Sequence, residues 1–293
     1  MVLLPDKQYA WKSDRKAVIV GADSFIGSCL ARTLAKAGCD VKSVVGDYMH
    51  YNIPQECGLV LFCHDAFGDR DLHTRAFSAL CEHLAATRSA GRQVHLCYFS
   101  TANICDGDGR QISEKSSIHP HNLYELAVCQ AEMTLNAWVC LSRGVIVPNI
   151  FRHGELYGDA DAPRTDAGHV NECLRLARDG KPLTFCGNLG QKRTLLHVED
   201  FAYAVVALLS RDIIPNLINI PGETLNIYDY LSAISDHYHV ELNIGAQRRF
   251  SENLPPYSCD RVLSASVFRS ELDFKPKHRF KTWLLSQCLM PNS

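Results

Sequence analysis

The chain has 293 residues, 46% of them hydrophobic and 21% charged, with a formal net charge of −2 and a pI near 6.7. That length allows one large domain or two closely packed ones, with ample apolar material for a core. The near-neutral balance excludes a general attraction to nucleic acid or to anionic membrane.

No apolar run reaches the length needed to span a bilayer, and residues 1–15 lack the basic-then-apolar order of a secretory signal. They read as an N-terminal extension packed through Tyr9 and Trp11, and the expected compartment is the cytoplasm. Thirteen cysteines form no C-x-x-C pair, and Cys63, Cys97 and Cys140 sit in apolar contexts. Buried, reduced thiols acting as small hydrophobes are expected. His119 and His121 flank a proline, but no further ligand follows at metal-site spacing, so no metal is expected.

In chain order, residues 16–20 form a short β-branched run ending at Gly21. A helical pattern over 25–37 places Ile26, Leu30, Leu34 and Ala37 on one face, and Gly38 ends it. Strands are expected at 41–45, 59–63, 94–99 and 145–150, with helices at 72–90 and 123–141. Strands alternating with helices imply right-handed crossovers and a mostly parallel sheet covered on both faces. This is a doubly wound α/β domain. Beyond Gly158 the rhythm loosens: helices at 170–178, 201–209 and 228–238, and strands at 183–186 and 217–220. No Pro/Gly/Ser-rich linker intervenes, so a second lobe woven into the first is expected. The division is 16–157 with 196–220 for the first domain, and 158–195 with 221–293 for the second.

Gly21-Ala22-Asp23-Ser24-Phe25-Ile26-Gly27 joins the first strand to the first helix. There a glycine-rich turn lets backbone N–H groups meet a pyrophosphate at a helix N-terminus. Gly21 makes the tight turn, Gly27 lets the helix approach the strand, and Ser24 stands where a third glycine is usual. Asp47 follows 20 residues after Gly27, at the end of the second strand. An acid there binds the adenosine ribose hydroxyls and repels a 2′-phosphate. With no Arg or Lys beside it, NAD is preferred over NADP. The competing reading is a strand–turn–helix without a ligand.

Several stretches together resemble the extended short-chain dehydrogenase/reductase family, in its branch of nucleotide-sugar epimerases, dehydratases and reductases. The likeness runs from residue 16 to the C-terminus and implies a Rossmann-type sheet with a smaller, interleaved α/β substrate lobe. VIVGADSFIG is similar to the cofactor loop, and FSTANIC to the segment carrying the catalytic Ser/Thr, which puts Thr101 in that role. NLYELAV resembles the Tyr-x-x-x-Lys helix, with Tyr124 present and Val128 where lysine belongs. FRHGELYG looks like the strand exit that closes on the nicotinamide. KPLTFCGNLGQKRTLLHVED is the most specific match, and it implies that Arg193 grips a substrate diphosphate. Asn103 and Arg152 are placed by the same resemblance against the substrate, a nucleotide sugar, and two chains commonly pair through the tyrosine helix.

Two further departures matter. Only residues 48–58 separate the second strand from LVLFC, which compresses the third strand and its helix and reduces the adenine pocket. Thr101 is followed by Ala102 and Asn103, not by the Asp-Glu pair that 4,6-dehydratases need; that activity is not expected.

In the family the lysine binds the nicotinamide ribose and lowers the tyrosine pKa. A cation about 4 Å away is worth roughly 4 kcal/mol, or about 3 pKa units. Without it Tyr124 is expected near ~10, a poor base but an acid already in the right form. That favours reduction of a keto sugar, in which tyrosine donates a proton as NAD(P)H delivers hydride. His119 or His121 could supply a substitute group. Three readings stay open: a reductase or epimerase on a nucleotide-activated sugar, a catalytically silent binder of the same ligands, and an interaction protein with an empty fold.

Overall fold

The computed structural model describes residues 16–46, 48–64, 66, 69–88, 92–106, 111–158, 168–211, 213–245 and 259–287. Asp47 and the N-terminal extension with Tyr9 and Trp11 lie outside the described residues.

Six parallel strands form the main sheet: β1 (Lys16–Val20), β2 (Asp40–Val44), β3 (Leu59–Phe62), β4 (Val94–Thr101), β5 (Ile146–His153) and β9 (Leu217–Asn219). Their order is β2-β1-β3-β4-β5-β9. Alternation along each strand divides the core into two layers. Ala17, Ile19, Leu59 and Leu61 face helices α1 (Phe25–Lys36) and α5 (Val198–Leu209). Val18, Val20, Val60 and Phe62 face α2 (Arg70–Thr87) and α3 (Leu123–Leu141). The sheet is therefore covered on both faces, as the alternation of elements required.

The compression seen in the sequence has a specific outcome. The chain does not add a shortened strand beside β2; it crosses to the other side of β1, where Leu59–Phe62 pairs with Ala17–Val20. Among the described residues β2 is the edge of the sheet. The order reverses at β1, so the carboxyl ends of β1 and β3 open the crevice where such sheets bind ligands.

A second lobe carries a three-stranded sheet, β6 (Glu155–Tyr157), β8 (Lys192–His197) and β10 (Glu223–Asn226), in the order β10-β8-β6. A two-stranded sheet pairs β7 (Leu183–Cys186) with β11 (Leu242–Gly245). These pack with α4 (Gly168–Arg178), α6 (Ile227–Tyr238) and α8 (Phe280–Leu285) around Tyr157, Tyr230, Phe280 and Trp283. Residues 155–157, which the division by sequence gave to the first domain, pair with β8 in this second sheet. The helix α7 (Ser266–Glu271) returns Phe268 to the first core, so the lobes are interleaved in both directions.

Nine of the twelve described cysteines are buried and none is bonded to another, as expected of small hydrophobes. Cys140 is a correction: the apolar WVCLS context suggested burial, but this residue lies on the outer side of α3 and is exposed.

Buried histidines give the fold a pH dependence. Burial, aided by neighbouring His64, pushes His73 down to about 4. Burial, aided by His278, pushes His197 to about 3. The ordinary value is 6.5. Below it the unfolded chain binds protons that the folded chain refuses, so stability is intact above pH ~6.5 and falls as pH drops toward 4. Tm measured from pH 7.5 to 4.5 is expected to decline steadily; a flat profile would contradict the burial of these rings.

Candidate functional site

The loop after β1 carries the geometry of a phosphate cradle. Gly21 has φ +78, and a Cβ there would lie 2.6 Å from the His64 amide nitrogen at the end of β3. A Cβ on Gly27 would lie 2.1 Å from the Gly21 carbonyl oxygen. Only glycine satisfies either position. Ser24 caps α1 from within, its Oγ accepting from the Gly27 amide at 3.0 Å. Ile26 is half-buried in the first turn, and the Phe25 ring is buried against the sheet. Asp23 is exposed and accepts from the Tyr48 hydroxyl at 3.0 Å. Tyr48 in turn sits edge-on to His64, 4.5 Å between centroids. This aromatic lid beside the loop is a feature that sequence reasoning missed. The residues present suit the pyrophosphate of a dinucleotide.

Thr101 ends β4, buried, with its Oγ1 accepting from the Asn103 amide at 3.2 Å in a one-turn 3-10 helix. That leaves the hydroxyl proton for another partner. Helix α3 starts where Asn122 caps it, Oδ1 to the Glu125 amide at 2.9 Å, and it packs against β4 and the 3-10 turn. The half-buried Tyr124 at its start lies over the apolar layer containing Ala102, Ile104 and Val128. Val128 is 3% exposed within that layer.

His119 and His121 do not turn toward the tyrosine. Both rings address the Asp106 carboxylate, at 3.4 and 3.0 Å, with Arg261 3.3 Å away on the same group. Arg152 is likewise engaged elsewhere. It is 2% exposed and forms a two-point pair with Glu132 of α3, Nε to Oε1 at 2.9 Å and Nη2 to Oε2 at 2.7 Å. Ser100 donates to the same carboxylate at 2.5 Å. Glu132 lies eight residues beyond Tyr124, two helical turns along one face; an acid on the apolar face of a helix was the signal for it.

Arg193 is 1% exposed on β8, its Nη1 donating to the carbonyls of Lys192 and Cys259 and its Nη2 to Gln191 Oε1. The parallel register of β6 and β8 puts Glu155 opposite Leu195, hence on the same sheet face as Arg193. The Asn103 side chain hydrogen-bonds the Glu155 carboxylate. Burial raises the Glu155 carboxyl above the usual range, against the lowering effects of Arg193 and Asn103. Part of its surface stays accessible while protein atoms surround it, which describes an acid in a recess. Glu155 escaped the sequence reading; an acid between two glycine-flanked aromatic-rich stretches was the available signal.

The chain matches the NAD dependent epimerase/dehydratase family over residues 70–221, more than half its length. The chain belongs to this family. No curated protein matches its sequence. Solved structures agree in fold at low identity. UDP-glucuronic acid 4-epimerase from Bacillus cereus, in complex with UDP-glucuronic acid and NAD, superposes with TM-score 0.76 at 18% identity, over 92% of this chain and 97% of that one. UDP-glucose 4-epimerase from Thermus thermophilus, in complex with NAD, gives 0.72 at 18%, over 92% and 96%. DesIV, a dTDP-glucose 4,6-dehydratase from Streptomyces venezuelae, gives 0.72 at 15%, over 91% and 94%.

One further cluster lies apart from Thr101 and Tyr124. His197, Glu199 and His278 bring ligand atoms within 4.8 Å of one another at the start of α5, beside a cleft of about 380 Å³. Arg32, Lys277 and Arg279 line the same cleft, and their charge opposes the seating of a further cation.

Proposed function

We propose that this chain binds NAD(P)(H) at the loop 21–27, with NAD preferred, and a nucleotide-activated sugar over the carboxyl ends of β4, β5 and β6. Reduction of a keto sugar is the favoured reaction and epimerisation the next. When bound, the cofactor would supply or accept hydride. Tyr124 then donates a proton to the oxygen that gains charge, while the Thr101 hydroxyl, its lone pair already committed to Asn103, holds that oxygen by donating. Asp47 would hold the adenosine ribose, and Asn103 and Arg193 the substrate.

The observation that carries this reading is the pairing of Thr101 and Tyr124 on packed elements with an apolar Val128 beneath them. No cation stands at that position to generate a phenolate, so the acid role suits the phenol. The burial of Val128 also favours a second reading, a binder of the same ligands with impaired chemistry. A homodimer through α3 belongs to the proposal, supported by the exposed Leu123, Leu126, Met133 and Leu141 on that helix. Among the described residues no helix is long and apolar enough to cross a membrane, and the setting proposed is the cytoplasm.

Two variants test the proposal. Tyr124→Phe should cut reduction of a UDP-linked keto sugar by roughly 10²–10⁴-fold with binding retained. Val128→Lys sets an ammonium one turn beyond Tyr124 on the same face. If the pocket has room for nicotinamide, the oxidative direction gains more than the reductive one at neutral pH. If the lysine is buried unpaired, Tm falls and the binder reading stands. A wild type that shows no melting shift with NAD(H), NADP(H) or nucleotide sugars, and turns over none of them, sinks the whole proposal.

A further inference from the structure

The acid pair missing from the loop after Thr101 has a counterpart that arrives from another strand. Glu155 comes from β6, yet its carboxylate is hydrogen-bonded by Asn103, two residues beyond Thr101. A Cβ built on Gly168, the first residue of α4, would lie 3.5 Å from Glu155 Oε2, so the acid is flanked by α4 on its other side. The charged and titratable groups around it are Arg193 of β8 and, from α4, His169 and Cys173. His169 is held by the Tyr230 hydroxyl at 3.2 Å. Glu155 is thus an ionisable group tethered to the Thr101 loop and partly open to solvent.

We propose that Glu155 is a carbon-acid base of this site, which exchanges a proton on a carbon flanking the carbonyl of a nucleotide-linked keto sugar. The inference rests on the keto-sugar reading above and adds an activity to it: interconversion of the keto sugar with its enol, and hence inversion at that carbon.

The step balances without an oxidant. The Glu155 carboxylate forms an O–H bond as the C–H bond breaks, and the C–H electron pair becomes the C=C of an enolate. The carbonyl electrons move to oxygen, which takes hydrogen bonds from Tyr124 and Thr101. Returning the proton to either face restores the ketone. A carboxyl raised by burial is a better base once ionised, and its partial exposure lets the captured proton exchange with water. The Asn103 hydrogen bond fixes which way the carboxylate points.

The test uses the full chain with a UDP-linked 4-keto-6-deoxyhexose in D2O, followed by proton NMR, beside a separate assay of NAD(P)H-dependent reduction of the same sugar. Wild type is expected to catalyse deuterium entry at a carbon flanking the carbonyl, above the protein-free rate. Glu155→Gln should slow that exchange at least roughly a hundredfold more than it slows reduction. Glu155→Asp should restore part of it. Reduction without exchange in wild type overturns this inference and leaves the keto-sugar reading standing. Equal exchange in Glu155→Gln overturns it too, and makes Glu155 a counter-ion for Arg193 only. A wild type that neither binds nor reduces the sugar removes the keto-sugar reading, and this inference with it.

Discussion

Gly27→Val is expected to abolish dinucleotide binding and to lower stability. A Cβ at this position would lie 2.1 Å from the Gly21 carbonyl oxygen and 2.8 Å from Ser24 Oγ. The first is backbone that has no room to retreat, because Gly21 is itself pressed against the amide of His64. The start of α1 must therefore tilt away from β1, and the amides that meet a pyrophosphate go with it. Overpacking of this kind costs typically 1–3 kcal/mol, and more where backbone meets backbone. Calorimetric titration with NAD(H), alongside Tm, reads both effects. Ser24→Gly is the control: it removes the helix cap at a cost of a few tenths of a kcal/mol, about half a degree to a degree, and should leave binding in place. A Gly27→Val protein that binds NAD as tightly as wild type would remove the loop from the site.

Glu132→Ala is expected to be the most damaging single change to stability. It leaves the Arg152 guanidinium buried with neither of its two carboxylate contacts, and deprives Ser100 of its acceptor. Losing one partner of a buried ion pair costs about 3–5 kcal/mol, against a pair whose own net worth is small. For a chain of this length that corresponds to a fall in Tm on the order of 10 °C. Replacing both partners, Glu132→Leu with Arg152→Met, should recover most of the loss, since no charge is then stranded. If the single variant melts within a degree or two of wild type, the pair is not buried as described.

Local structure was legible in the sequence where one element decides its own fate. The α3 and β7 boundaries fell where periodicity and turn residues put them, and Gly21 and Gly27 announced the loop. Adjacency was not legible. Nothing in LVLFC says on which side of β1 it pairs, because both of its faces are apolar and either neighbour would bury them. Strands β4 and β5 ran past their expected ends because Ser100 and Thr101 pair with Arg152 and His153, a contact between residues about fifty apart. Helix α5 began three residues early because His197 caps it, a residue type that carries no strong capping signal. In the site, the residues named from the resemblance were found on the expected elements, but their partners were not foreseeable. Arg152 meets Glu132 and Glu155 meets Asn103 only because strand order brings them together.

The loss of a strand beyond β2 leaves a ribbon of unpaired backbone groups along one side of the main sheet. Such a margin invites the strand of another molecule to continue the sheet. Here the ribbon is short, five residues, and it carries Asp40 and Lys42 outward. The Lys42 ammonium reaches the Asn52 carbonyl at 2.8 Å, drawing the returning segment alongside the strand. A chain that discards a strand must replace the fence that strand provided. Charge on β2 and its own return loop serve that purpose, so this margin resists aggregation although it has no neighbour.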